Sequence, residues 1–130
     1  MIPDKLKKGD EIRVISPARS LSIISQEMRD IAIKRLTDIG FKVTYAKHVE
    51  EKDDFNSSSI KSRVDDLHSA FKDKNVKGIL TVIGGFNSNQ ILRYLDYDLI
   101  KQNPKILCGF SDITALSNAI YRKTGLVTYS

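Results

Sequence analysis

One cysteine, Cys108, is all the thiol this sequence has. That excludes a disulfide within the chain and any cysteine-based metal site. Histidine is almost as scarce: only His48 and His68 are present. No apolar run approaches the ~20 residues needed to cross a bilayer. The N-terminal stretch Met1-Ile2-Pro3-Asp4-Lys5 has no apolar core of the kind a signal peptide needs. A cytoplasmic location with no membrane partner is the resulting expectation. Charge of one sign is not concentrated anywhere. The 21 basic residues, against 16 acidic, are scattered from Lys5 to Lys123 in runs of at most two. A nucleic-acid footprint usually clusters on one face, so no nucleic-acid partner is expected.

The 130 residues that are present suit one domain with an ordinary mix of 41% apolar and 28% charged residues. Short apolar runs alternate with helical stripes. Ile12, Val14 and Ile15 predict a first strand, closed by Ser16-Pro17 because proline cannot donate to a sheet ladder. Ser25 predicts the cap of a helix to Ile39, with Met28, Ile31, Ala32, Leu36 and Ile39 on its apolar face and Gly40 as its stop. Residues 41–46 predict a second strand, and residues 50–56 a polar loop. Ser57 to Ser59 offer caps for a helix whose stripe is Ile60, Val64, Leu67 and Phe71. Residues 78–83 predict a third strand, ended by Gly84-Gly85. Helices over 88–95 and 97–102, a buried strand over 105–108, a helix over 112–123 stopped by Gly125, and a fifth strand over 126–129 complete the pattern. Strands alternating with helices predict a parallel α/β sheet. No closing helix or polar tail follows the fifth strand, so residues 1–130 are expected to be one domain of a longer protein.

Ligands of open α/β sheets bind beyond the carboxyl ends of the strands. Two segments at those ends carry chemistry. Gly109-Phe110-Ser111-Asp112 lies between a strand and a helix, as a nucleophile elbow does, holding a serine hydroxyl out of the sheet beside free N–H groups. The second glycine usual in that motif is replaced by Ile113, and Ser111 or Asp112 acting only as a helix cap is the competing reading. Gly84-Gly85-Phe86-Asn87-Ser88 lets the backbone approach a ligand and offers N–H groups to an anion; here a plain turn capped by Asn87 or Ser88 competes. A serine nucleophile needs a base. His68 shares a helix with Val64 and Phe71, which suits a structural role, and His48 follows the second strand, where it could lie near the site. Neither is a convincing base, so Ser111 is either not catalytic or partnered from beyond residue 130. Cys108 as a nucleophile, in an amidotransferase-like enzyme, is a further alternative that its expected burial in a strand argues against.

Several of these segments resemble the LD-carboxypeptidase family of serine peptidases. The similar runs are residues 80–90, from Leu80 through Gly84-Gly85 to Gln90; residues 94–105; Gly109-Phe110-Ser111-Asp112-Ile113-Thr114-Ala115-Leu116; and Thr124-Gly125-Leu126-Val127-Thr128-Tyr129. The Ser16-Pro17-Ala18 turn also fits, and Asn87-Ser88-Asn89-Gln90 is similar to the microcin C self-immunity branch. The resemblance implies a nucleophile at Ser111 and an oxyanion hole of backbone N–H groups from Gly84, Gly85 and Asp112. It implies a Ser-His-Glu triad whose histidine and glutamate belong to a C-terminal domain, and no metal or organic cofactor. The implied substrates are small peptides of murein or aminoacyl nucleotides, cleaved through an acyl-enzyme, and the implied assembly is a homodimer of the whole protein. The implied fold is flavodoxin-like: a parallel sheet of about five strands with helices on both faces. This domain alone is expected to turn over little or no substrate. A non-catalytic α/β module that grips a phosphate or carboxylate is the alternative.

Overall fold

The computed structural model describes all residues 1–130. Strands β1 (Glu11–Ile15), β2 (Lys42–Tyr45), β3 (Val76–Thr81) and β4 (Ile106–Cys108) form one parallel sheet in the order β2-β1-β3-β4. Helices α1 (Gln26–Ile39), α2 (Ile60–Lys72), α3 (Tyr97–Gln102) and α4 (Ile113–Thr124) connect them. The local signals act where the sequence placed them. The Ser25 and Ser59 side chains accept from the Met28 and Ser62 N–H groups and start α1 and α2. Gly40 and Gly125 end α1 and α4 with φ of 114° and 77°, a conformation in which a Cβ would be strained. No helix is long and apolar enough to cross a membrane.

The chain order decides how the faces are covered. Parallel crossovers are right-handed. The connection from β1 to β2 therefore puts α1 on one face. Those from β2 to β3 and β3 to β4 run the other way across the sheet and put α2 and α3 on the opposite face, where α4 joins them. The main core lies there, with Leu67, Phe71, Ile100, Leu116 and Ile120 packed on Ile15, Ile79 and Leu107 and no residue of α1 included.

Several expectations need correction. The sheet has four strands, not five. Tyr129 makes a single parallel bridge to Cys108, while the Val127 N–H donates to the Met1 carbonyl at 2.8 Å, so residues 126–129 are drawn off the β4 edge before a ladder forms. Residues 88–94 form a 3-10 helix rather than an α-helix. At ~2.0 Å rise per residue against ~1.5 Å, it stretches further from the rim toward α3. The apolar face of α1 is largely uncovered: Met28 is 58% exposed, and Ile31 and Ile39 are exposed as well. One helix cannot cover four strands, so an apolar groove of about 260 Å³ remains between α1 and the sheet, with Val14, Ala32, Val43, Leu80 and Val82 in its walls. Cys108 is partly rather than fully buried, and Ile60 stands at the exposed edge of the α2 stripe.

Lys105 precedes β4 and is 8% exposed, yet no carboxylate pairs with it. Its Nζ donates to the carbonyls of Ala70, Asp73 and Val76 at 3.0, 2.8 and 2.8 Å, tying the end of α2 to β3. Burial pulls its pKa from 10.5 down to about 8. Between those two values the unfolded chain holds a proton that the folded chain has lost, so stability rises with pH across that window. The gain is complete above 10.5 and is lost as pH falls through 8. Thermal melts at pH 8 and 10.5 should show this rise in the wild type but not in Lys105→Met.

Candidate active site

The elbow is built by β4 and α4. Gly109 follows β4 where no side chain fits: a Cβ there would lie 2.3 Å from Thr81 Oγ1 and 2.8 Å from Ile113 Cγ2. Two residues further on, Ser111 has φ of 62°, one of two non-glycine residues with positive φ. Holding an L-residue there costs about 1–3 kcal/mol and persists only where surrounding structure imposes it. The Ser111 residue is exposed at the carboxyl rim of the sheet. Helix α4 starts at Ile113 with neither the Ser111 nor the Asp112 side chain capping it, so the helix-cap reading of these residues does not hold.

The glycine turn lies against this elbow. A Cβ on Gly84 would sit 3.1 Å from both Cβ and Oγ of Ser111 and 3.4 Å from the Asp112 nitrogen. The close approach needs glycine at 84. On the other side of the turn, Arg19 Nε donates to the Gly84 carbonyl at 2.9 Å. A trans peptide places C=O and N–H on opposite sides, so the Gly85 N–H is directed away from Arg19. The N–H groups of Gly84, Gly85 and Asp112 donate to no protein acceptor. Free amides beside a serine hydroxyl can stabilise an oxyanion that forms when the hydroxyl attacks a carbonyl.

Two sets of hydrogen bonds that the sequence did not announce hold this arrangement. The Ser88 N–H donates to Asp112 Oδ2 at 3.0 Å, and Ser88 Oγ donates to the Asp112 carbonyl at 2.7 Å, clasping the glycine turn to the elbow. Asn87 does not cap the 3-10 helix either; its Nδ2 donates to Ser57 Oγ at 2.7 Å. Arg63 on α2 is 3% exposed and forms no ion pair. Its guanidinium donates to the carbonyls of Ser58, Pro17 and Asn87 at 2.9, 3.2 and 3.0 Å and to Gln90 Oε1 at 2.9 Å, joining three rim segments. The only sequence sign was an arginine beside Val64 on a helix whose neighbouring face is apolar. Arg63→Met leaves these acceptors unpaired and is expected to destabilise the fold by about 2–3 kcal/mol, read as a lower urea midpoint at unchanged slope.

The histidines stand apart from Ser111. His48 follows β2, at the sheet edge opposite β4, three strand spacings or ~14 Å across. Its Nδ1 lies 2.7 Å from Asp66 Oδ1, and Asp66 Oδ2 accepts the His48 N–H. His68 Nε2 accepts the Asp96 N–H at 2.9 Å at the start of α3, and burial holds its pKa below the usual value. That is a neutral, structural histidine. Cys108 lies in β4, three residues before the turn position that Ser111 occupies.

Residues 12–130 match the family profile described as the LD-carboxypeptidase N-terminal domain. The chain is 65% identical over 130 residues to YocD of Bacillus subtilis strain 168, which carries a carboxypeptidase name, covering 100% of this chain and 40% of that protein. It is 36% identical over 124 residues to the microcin C7 self-immunity protein MccF of Escherichia coli, covering 95% of this chain and 36% of MccF. A crystal structure of an MccF-like protein from Bacillus anthracis superposes with a TM-score of 0.98 at 70% identity, covering 98% of this chain and 39% of that one. MccF itself, solved with aspartyl sulfamoyl adenosine, superposes with a TM-score of 0.92 at 35% identity, covering 98% of this chain and 38% of MccF. The chain thus spans about two fifths of the length of the relatives it matches.

Proposed function

The chain belongs to the LD-carboxypeptidase family, matching its N-terminal domain, and from that membership we propose that it supplies the nucleophile and oxyanion hole of a serine peptidase. Ser111 Oγ attacks an amide carbonyl, and the N–H groups of Gly84, Gly85 and Asp112 receive the oxyanion. The amine leaves with a proton, and water then releases the acyl group from Ser111. The base and the carboxylate that orients it come from a domain downstream in the same polypeptide, because neither histidine here lies near Ser111. The isolated chain accordingly turns over little substrate. Substrates are murein-type peptides or aminoacyl nucleotides.

One observation carries this reading: a strained, exposed serine in contact with a glycine turn beside three N–H groups that have no protein acceptor. A fluorophosphonate probe tests it on the whole polypeptide. Labelling in the wild type that disappears in Ser111→Ala is the expected result. Labelling that survives in that variant overturns the assignment, and a wild type that never labels favours a non-catalytic binding module.

A further inference from the structure

Residues 82–87 join β3 to the 3-10 helix, and this segment carries the glycine turn. Its first residue, Val82, donates its N–H to the Ile15 carbonyl at 3.1 Å. The next backbone N–H to find a protein acceptor is that of Ser88, and its acceptor is Asp112 Oδ2 at 3.0 Å. Neither ladder nor helix therefore fixes residues 83–87, although the Gly84 and Gly85 amides belong to them. Ser88 is 0% exposed, and its hydroxyl does not serve its own helix. It crosses instead to the Asp112 carbonyl at 2.7 Å, 24 residues away. Ser88 is itself anchored, because Arg63 holds the Asn87 carbonyl before it and Gln90 Oε1 after it, at 3.0 and 2.9 Å. On the far side of the clasp, the Ile113 N–H donates to the Phe110 carbonyl at 3.3 Å. That bond closes a four-residue turn in which Ser111 is second and takes positive φ, a place ordinarily given to glycine. Relieving the strain means rotating Ser111 to negative φ, which carries Asp112 with it. With Asp112 held at both its carbonyl and its carboxylate, that rotation breaks its bonds to Ser88.

We propose that Ser88 is a positioning residue of the peptidase site: its two bonds to Asp112 hold Ser111 in its strained conformation and set the glycine-turn amides and the Asp112 amide against one oxyanion. This role rests on the peptidase reading above and adds what keeps the two halves of the oxyanion hole in register. Ser88 touches neither substrate nor reacting atoms; it acts through Asp112, whose N–H is next to Ser111 in the chain. Removing one oxyanion donor outright costs about 10²–10³ in kcat. Ser88→Ala keeps every donor and loosens only their alignment, so the expected loss is smaller, about 10- to 100-fold. It falls on kcat rather than KM, because the alignment matters when the oxyanion forms and not when substrate binds.

Kinetics on the whole polypeptide and urea unfolding of the chain test this role separately. In the whole polypeptide, Ser88→Ala should lower kcat on a peptide substrate and the rate of fluorophosphonate labelling together, with KM changed by less than about threefold, at a temperature where circular dichroism shows the fold intact. Asp112→Ala removes the acceptor of the Ser88 N–H at a partly exposed side chain and keeps the Asp112 N–H. It should lower both rates in the same way, and it carries the test if Ser88→Ala does not fold. Wild-type rates in a folded variant, or a raised KM at unchanged kcat, overturn the positioning role while the peptidase reading stands. A wild type that never labels overturns the peptidase reading and the role with it. Urea unfolding needs no activity. Deleting Ser88 Oγ lets a strained Ser111 relax, which offsets part of the lost stability; a Ser111→Gly background has no such strain to release. Ser88→Ala is therefore expected to lower the urea midpoint more in the Ser111→Gly background than in the wild type. Equal losses in the two backgrounds, or a larger one in the wild type, mean that the clasp does not hold the strain, and overturn the proposal.

Discussion

Replacing Ser111 with alanine in the whole polypeptide is expected to lower kcat by roughly 10⁴–10⁶-fold while the protein stays folded. The size follows from what the hydroxyl does. Without it there is no acyl-enzyme, and only the oxyanion-binding amides and the substrate contacts remain to accelerate attack by water. Steady-state kinetics on a peptide substrate reads the loss, and substrate affinity should change far less than kcat. A second substitution at the same position tests whether the backbone there is strained for function. Ser111 sits at φ of 62°, where glycine is comfortable and serine is not. Ser111→Gly is therefore expected to raise the thermal midpoint, with a gain of about 0.5–1 kcal/mol, while abolishing activity just as the alanine variant does. A residue chosen only for turn geometry would show the opposite, since a stabilising change would carry no loss.

Gly109→Ala is expected to have the largest effect on folding. The added methyl would meet Thr81 Oγ1 at 2.3 Å and Ile113 Cγ2 at 2.8 Å, far inside van der Waals contact. Thr81 ends β3 and Ile113 starts α4, and Ile113 is wholly buried. Neither neighbour is the free end of a flexible side chain, so relief requires β4 to move away from β3. A close-packed interior resists such a shift, and overpacking of this severity is expected to cost about 3 kcal/mol or more. Far-UV circular dichroism with urea should show a much lower midpoint, or no cooperative transition. Gly109→Ala melting like the wild type would mean that the elbow is not packed against β3 as described.

Much of this could be seen from residue types alone, and where it failed is informative. The caps at Ser25 and Ser59 and the stops at Gly40 and Gly125 were legible because each acts through bonds within one turn of its helix. The strand-helix alternation was legible for the same reason. The apolar face of α1 was misjudged because periodicity shows that a helix has an apolar side, not whether enough protein exists to cover it. The fifth strand was misjudged because its partner β4 is three residues long and Val127 bonds to Met1 instead.

The sequence by itself determined the α/β class, the two chemically suggestive turns and Ser111 as the candidate nucleophile. Only the tertiary structure decided that these turns meet. Residues 84 and 111 come together because β3 and β4 are neighbours in the sheet, and His48 is carried to the far edge because β2 pairs on the other side of β1. The same is true of Arg63 and of the Ser88–Asp112 clasp, whose partners lie 5 to 46 and 24 residues away in the chain. Local propensity acts over one turn of helix or one strand, whereas a site of this kind is assembled by long-range pairing, which no short stretch of residues encodes.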